Sequence, residues 1–443
     1  MNILQEFDTI TAIATPFGTG GVGVIRISGE KAFEIIEKIF SNPKFEPRKF
    51  NYGWILDGKD KIDEVLVLPF FAPNSYTGEN VIEIQCHGGI NVVKNILNLV
   101  LKNGARMAEK GEFTKRAFLN KRMDLSQAEA IADIIHSKTE NFAKISMKNL
   151  SGVLKEKISE IRTEIFEVLS KIIAGIDFPE DVKEPEYSYL IEKFSTTISK
   201  INEILSNAKT SNILRQGVSI AIAGKPNVGK SSLFNALLNL NRAIVTDIAG
   251  TTRDILKETL DLDIPVTLID TAGIRDEGEN KVEAIGIEYS KQSLNEADLI
   301  LFVYDSAQGM QKEDLEIYDL IKEKKHIVIA NKCDLISKKD SETVYLSALT
   351  GEGIQELKKS LTNKVCDINP EDLEFATNSR QQHCLTKAKE SLEQALLSAN
   401  IQELQDLISI DIKSALLALD ELTGELITDD ILNNIFDNFC IGK

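Results

Sequence analysis

The sequence predicts a multidomain chain: an N-terminal α+β domain, a helical bundle, and an α/β domain with a mostly parallel sheet inserted into that bundle. Three observations predict it. Short strand-like runs and turns fill residues 1–120. A three- and four-residue apolar step takes over after Asp124. Strands then alternate with helices from about 213 to 370, before the helical step returns. At 443 residues the chain is too long for one core, so two to four domains are expected.

The strand-like runs of the first domain, 1–120, are ITAIAT, VGVIRIS, DEVLVLPFF and NVIEIQC, with helical stretches near 30–40 and 91–103. The helical domain begins at 121. No proline lies between Pro73 and Pro179, and Leu154, Ile158, Ile161, Ile165, Leu169 and Ile172 mark one helix face. Asp177-Phe178-Pro179 breaks the pattern, which resumes with Leu190, Phe194, Ile198, Ile201 and Leu205. Near Ser211 the period changes to strand and loop. Residues 213–370 form the inserted domain, and 371–443 return to helix as the second part of the bundle, ending in Cys440-Ile441-Gly442-Lys443.

Composition excludes several classes. No apolar run is long enough to span a membrane, and the first residues show neither basic nor apolar signal-peptide character. Five scattered cysteines with no CxxC pair suit reduced thiols in a cytoplasm and give no zinc site. The net charge of −17 argues against non-specific nucleic-acid binding. Residues 1–120 are neutral overall, whereas 370–443 carry 14 acidic and 5 basic residues.

The inserted domain carries the chemistry. An apolar strand, Ser219 to Ala223, runs into Gly224-Lys225-Pro226-Asn227-Val228-Gly229-Lys230-Ser231-Ser232 and then a helix-like LFNALLNL. Strand, GxxxxGKS loop and helix make a P-loop. Its amides and helix N-terminus face phosphates, Lys230 reaches the β- and γ-phosphates, and the Ser231 hydroxyl holds Mg²⁺. A second strand leads to Asp270-Thr271-Ala272-Gly273: Asp270 is the water-linked Mg²⁺ carboxylate and the Gly273 amide senses the γ-phosphate. A third leads to Asn331-Lys332-Cys333-Asp334. The Asp334 carboxylate can accept from both N1–H and the exocyclic amine of guanine, a pair adenine lacks, so GTP is the expected substrate. Ser347-Ala348 would support the base through a backbone amide. Gly250-Thr251-Thr252-Arg253-Asp254 is the switch I candidate, with Thr252 the second Mg²⁺ hydroxyl. These motifs together specify a Ras-like P-loop G domain. One departure matters: Ile274 stands where signalling GTPases place a water-orienting glutamine. From the residues alone, Arg275, Asp276, Glu277, Glu279 and Glu283 read as a solvated loop.

NxGKSSLxN, TDIAGTTRD, DTAGIR with VExxGI, the N-terminal GTGGVGVIRISG and SYTGENVIEIQCHGG, GEFTKRAFLN, and the CIGK tail resemble one family across the chain. It is the MnmE (TrmE) family of tRNA-modification GTPases. The resemblance implies an N-terminal folate-binding domain that dimerises, a helical domain, and an inserted G domain. It implies a homodimer, partnered by an MnmG-type flavoprotein that holds FAD and uses NADH. Together they would add an aminomethyl or carboxymethylaminomethyl group to C5 of the wobble uridine, position 34, of certain tRNAs. A tetrahydrofolate derivative, in 5-formyl or 5,10-methylene form, would supply the carbon.

The resemblance also assigns residues. Asn227, Thr246, the Ile248 carbonyl and Thr251 match a potassium site, whose cation could act as an arginine finger does elsewhere. With Asp247, Ala249, Gly250 and Thr252 they extend the expected nucleotide contacts. Glu283 matches the family's water-orienting glutamate, acting through a second water. Arg26, Glu83, Arg122 and Lys443 match the folate contacts; Arg122 stands where some relatives have lysine.

Three features read as weaker. Gly18, Gly20 and Gly23 spell GxGxxG, but a strand follows where a dinucleotide site needs a helix. Cys440 could attack pyrimidine C6, yet reads as a buried structural cysteine, and His87 reads as structural. Two other functions stay in view: an Era- or Der-like ribosome-assembly GTPase, which would need a basic GxxG loop after the G domain, and a nucleotide-dependent scaffold without hydrolysis.

Overall fold

The computed structural model describes residues 8–47, 49–240, 258–269, 294, 296–336 and 343–443. It divides into two compact units. One comprises the described residues up to Ala132 together with Asp420–Lys443, and the other is Asp133–Leu419.

In the first unit, β1 (Ile10–Ile13), β2 (Val22–Ser28), β3 (Asn51–Asp57), β4 (Asp60–Phe70), β5 (Val81–His87) and β6 (Arg106–Met107) form one sheet ordered β3-β4-β5-β2-β1-β6. All pairings are antiparallel except β1 with β6. Alternation along β2 sends Ile25 and Ile27 into a core with Ile82 and Ile84 of β5. Helices α1 (Ala32–Ile39) and α2 (Ile90–Lys102) cover that face with Ile35, Ile36, Ile96 and Val100. Arg26 and its register partner Glu83 therefore share the opposite face. Helix α3 (Glu112–Leu119) follows, with Phe113 packed against Ile10 and Ala12. The expected helices near 30–40 and 91–103 are α1 and α2. Sequence periodicity missed β3, whose apolar run Gly53 interrupts, and α3.

The helical part comprises α4 (Leu125–His136), α5 (Glu140–Ser151), α6 (Val153–Asp177), α7 (Tyr187–Ser206) and α8 (Ala208–Gln216). Leu154, Ile158, Ile161, Ile165, Leu169 and Ile172 are all buried along α6, which ends at Asp177, two residues before Pro179. The expected change of period near Ser211 is corrected: helix continues to Gln216. Helix α8 buries Thr210 and Ser211 beside Leu214, so polar residues interrupt the apolar step on its inner face.

The second sheet comprises β7 (Val218–Ala223), β8 (Glu258–Asp261), β9 (Pro265–Ile269), β10 (Leu299–Asp305), β11 (His326–Asn331) and β12 (Val344–Tyr345). Its order is β12-β11-β10-β7-β9-β8, parallel throughout except for β8 against β9. Described helices of this part are α9 (Lys230–Leu240), α10 (Lys312–Ile321) and α11 (Ile354–Val365). Then come α12 (Ser379–Asn400), α13 (Gln405–Thr423) and α14 (Asp429–Phe436). Helix α12 packs along α7. Gln382 on α12 is hydrogen-bonded to Asn212 on α8, and the Thr377 N–H donates to Ser211 Oγ at 3.2 Å. Among the described residues no helix is long and apolar enough to cross a membrane.

Candidate functional site

Strand β7 sits between β9 and β10, and the chain crosses from one side of it to the other. Ligands of open parallel sheets bind at such a reversal, beyond the strands' carboxyl ends. The loop 224–229 leaves β7 at that point and turns into α9 at Lys230. Gly229 has φ +96°, and a Cβ there would lie 2.2 Å from Asn331 Nδ2. That close approach ties the loop to β11. Asn331, 2% exposed, donates from Nδ2 to the Val228 carbonyl at 2.8 Å. Its Oδ1 accepts the Ala348 N–H at 3.0 Å. One buried amide thus joins the P-loop to the Ser347-Ala348 loop, and of the backbone amides expected there for the base, that of Ala348 is engaged by Asn331.

Lys332 has left-handed backbone, φ 63°. Its Nζ donates to Asp305 Oδ2 at 2.6 Å and to the Asn227 carbonyl at 3.3 Å. Burial pushes the Asp305 carboxyl up, but the Lys332 ammonium and the Ala307 amide outweigh it and hold the group below its ordinary value. Asp334 is exposed in a 3-10 turn, Cys333–Leu335, anchored by buried Cys333. Lys230 donates from Nζ to the carbonyls of Gly224 and Lys225, both at 2.8 Å. Burial pulls its ammonium below the usual lysine value. Ser231 and Ser232 are exposed on the first turn of α9, and Asn227 is exposed with φ 65°.

These residues fit a nucleoside triphosphate with Mg²⁺: loop amides, the Lys230 ammonium, the exposed hydroxyls of Ser231 and Ser232, and the exposed Asp334 carboxylate. The expected contacts Thr246, Asp247, Ile248, Ala249, Gly250, Thr251, Thr252, Asp270, Thr271, Ala272, Gly273 and Glu283 lie outside the described residues. Among those described, no His/Cys/Asp/Glu group could hold a metal ion.

The first unit holds a second cluster. Arg26 Nε donates to Glu83 Oε1 at 2.9 Å, and its other nitrogen lies 2.8 Å from the same oxygen. Arg26 also donates to the Gly442 carbonyl at 3.3 Å and lies over the rings of Tyr76 and Phe113 at 5.0 and 5.5 Å. Arg122, exposed, donates to the Tyr76 carbonyl at 2.5 Å and lies 5.2 Å from the Tyr76 ring centroid. The Tyr76 hydroxyl meets Thr114 Oγ1 at 2.8 Å.

The tail reaches this cluster by packing on the sheet side. Lys110 bridges Ile441, and the Gly111 N–H donates to the Cys440 carbonyl. Gly442, φ +97°, passes so close to β1 that a Cβ would lie 2.3 Å from the Ile13 carbonyl. Burial, then the Arg26 charge, pulls the Lys443 ammonium below its ordinary value.

Arg26, Glu83 and Lys443 are thus brought together, with Arg122 joined through Tyr76. Sequence reasoning missed Tyr76, inside the SYTGEN segment, and Phe113 and Thr114, inside GEFTKRAFLN, because nothing in their local pattern marks a role. Cys440 is exposed, which corrects the expectation of burial: it lies beyond Phe439, the last side chain the tail packs inward before Gly442. His87 is exposed, and Asp63 Oδ1 accepts from its Nδ1 at 2.7 Å. Gly18 and Gly20 precede strand β2 and Gly23 lies within it, so a strand stands where a dinucleotide site needs a helix.

Comparison with known proteins gives a full-length match. A family model described as "GTP-binding protein TrmE N-terminus" matches residues 9–122, and one described as "MnmE helical domain" matches 125–440. The chain is 44% identical to the tRNA modification GTPase MnmE of Alkaliphilus oremlandii, covering 98% of this chain and 99% of that protein. It is 46% identical to that of Thermoanaerobacter sp. strain X514, covering 99% and 100%. It is 44% identical to that of Aquifex aeolicus, covering 98% and 100%. A solved structure of Aquifex aeolicus Era bound to GDP and aluminium fluoride is 31% identical over 39% of this chain and 66% of that one, with a TM-score of 0.28.

Proposed function

The chain belongs to the MnmE family of tRNA modification GTPases, and from that premise we propose how its residues divide the work. It is a GTP hydrolase of tRNA modification. The observation that carries the reading is the tie made by Asn331, which holds the P-loop against the loop after β12. In this reading, 1–120 binds a tetrahydrofolate derivative and dimerises, 121–212 and 371–443 are the helical domain, and 213–370 is the G domain.

Val228, Gly229 and Ser232 line the phosphates, and Lys230 binds the β- and γ-phosphates. Asp334 reads guanine. Ser231 and Thr252, with Asp270 through water, would hold Mg²⁺, which would supply positive charge against the transferred phosphoryl group. Asn227, Thr246, the Ile248 carbonyl and Thr251 hold K⁺, and Glu283 orients water in place of the glutamine that Ile274 replaces. Support for the folate assignment is chemical. Glu83 is a half-buried carboxylate able to accept from a pterin's N3–H and 2-amino group, and Lys443 and Arg122 are cations suited to a glutamate tail. The partner is an MnmG-type FAD protein, and the product is a (carboxymethyl)aminomethyl group on C5 of uridine 34. The ribosome-assembly alternative gains no support: α12 to α14 follow the G domain, and residues 370–443 are acidic.

Nucleoside mass spectrometry of tRNA from a strain lacking this chain tests the reading. The C5-modified wobble uridine is expected to vanish and to return on complementation. Unchanged tRNA nucleosides in that strain contradict it.

A further inference from the structure

The segment from β10 into α10 carries none of the nucleotide motifs, yet it sends two buried carboxylates towards the P-loop. Asp305 takes Lys332. Asp314 is the second, 0% exposed and in the first turn of α10. Its Oδ2 accepts the Gln311 N–H at 3.0 Å, an ordinary capping contact, and also lies 3.0 Å from Lys225 Nζ. Its Oδ1 has no hydrogen-bond partner among the described residues. Capping explains the first contact. It does not explain why Lys225, a loop residue next to solvent, turns its side chain inward to 15% exposure.

Lys225 is also one of the two residues whose carbonyls hold Lys230 Nζ. We propose that the Asp314–Lys225 ion pair positions Lys230 for phosphoryl transfer, making Asp314 a positioning residue of the GTPase site. A buried carboxylate cannot lose its countercharge cheaply, so the Lys225 side chain is tethered. The tether restrains the 224–225 peptide, and with it both carbonyl acceptors of Lys230. An ammonium has three donors. Two are taken by those carbonyls, and the third is left with a fixed direction, out of the loop towards the phosphates. This inference rests on the GTPase reading above.

The test uses the full-length chain with GTP, Mg²⁺ and K⁺. Asp314→Asn keeps an acceptor for Gln311 and removes only the charge; Lys225→Met removes the other charge. In each, kcat is expected to fall about 10- to 100-fold, the scale of a small misplacement in an active site, with KM changed far less. Lys225→Met alone leaves Asp314 uncompensated and lowers the thermal midpoint. The double variant Lys225→Met/Asp314→Asn is expected to regain that midpoint but not kcat. A double variant with wild-type kcat, or a loss carried wholly by KM, overturns the proposal. If Lys225→Met does not fold, Asp314→Asn carries the same prediction. Absence of GTP hydrolysis by the wild-type chain overturns the underlying GTPase reading instead.

Discussion

In the unit Asp133–Leu419 the proposed phosphate site is mostly backbone: one contiguous loop between a strand and a helix, with Lys230 held by two carbonyls of that loop. In the other unit the proposed folate site is mostly side chains, and Arg26 meets the Gly442 carbonyl across 416 residues of sequence. The difference teaches where each site is vulnerable. A backbone cradle tolerates change in many side chains but depends on the loop's conformation. A convergent side-chain cluster depends on each member: Arg26 and Glu83 neutralise each other, whereas Arg26 disfavours the charge on Lys443.

The largest effect should come at the loop. Lys230→Ala removes the charged donor proposed to meet the phosphates, and GTP hydrolysis is expected to fall about 10²- to 10³-fold, the cost of losing one transition-state donor. Phosphate release measures it. Binding of 5-formyl-tetrahydrofolate, followed by fluorescence titration, should be unchanged, because that cluster shares no residue with the loop. Loss of both would break the comparison.

Next is Asp334→Asn. Two charge-assisted hydrogen bonds to guanine are lost, so GTP affinity should fall by about 100-fold or more. Xanthosine triphosphate, whose base offers an acceptor where guanine offers an amine, should gain. Unaltered base preference would remove Asp334 from the site.

In the side-chain cluster, Glu83→Ala should weaken 5-formyl-tetrahydrofolate binding about tenfold or more, for one lost charged hydrogen-bond acceptor. GTP turnover should remain at its original value. A smaller loss than with Arg122→Ala would place the pterin elsewhere.

The smallest effect is a pH dependence. Burial pushes the Glu112 carboxyl up, but Arg106, the Glu109 amide and Arg116 outweigh it and hold the group below 4.5. A carboxyl lowered on folding stabilises above its unfolded pKa, and that stability is lost as pH falls through the folded pKa. The sole tryptophan, Trp54 on β3, reports this unit. The gap in unfolding midpoint between wild type and Glu112→Gln should be widest above pH 4.5 and narrow below it. A gap that widens in acid would reverse the assigned sign.

Legibility in the sequence followed the same divide. Helices α6 and α7 could be read because their inner faces are apolar at helical spacing, and β7 because a buried parallel strand is a continuous apolar run. Helix α3 could not, because it buries Glu112 and Arg116, two charges that neutralise each other at 2.9 Å and leave no apolar step. Helix α8 failed because the buried hydroxyl residues Thr210 and Ser211 leave Leu214 alone on its inner face. The loop 224–229 announces itself through glycine spacing. Asp305, Asp314 and Tyr76 do not: their roles come from what lies opposite in space, and nothing in their local pattern distinguishes them from a capping acid or a turn aromatic. Ile441 and Gly442 were visible only as part of a tail motif, while the bridge to Lys110 and the approach to Ile13 explain physically how the tail reaches Arg26.

The measurement closest to the central claim is steady-state phosphate release by the purified chain with Mg²⁺ and K⁺, GTP against ATP. The proposed site, with the P-loop tied by Asn331 to the Ser347-Ala348 loop and Asp334 assigned to guanine, predicts GTP turnover with ATP turned over at least about 100-fold more slowly, since a site built for hydrogen bonds rejects a base lacking them. Equal turnover of the two nucleotides, or of neither, would contradict it.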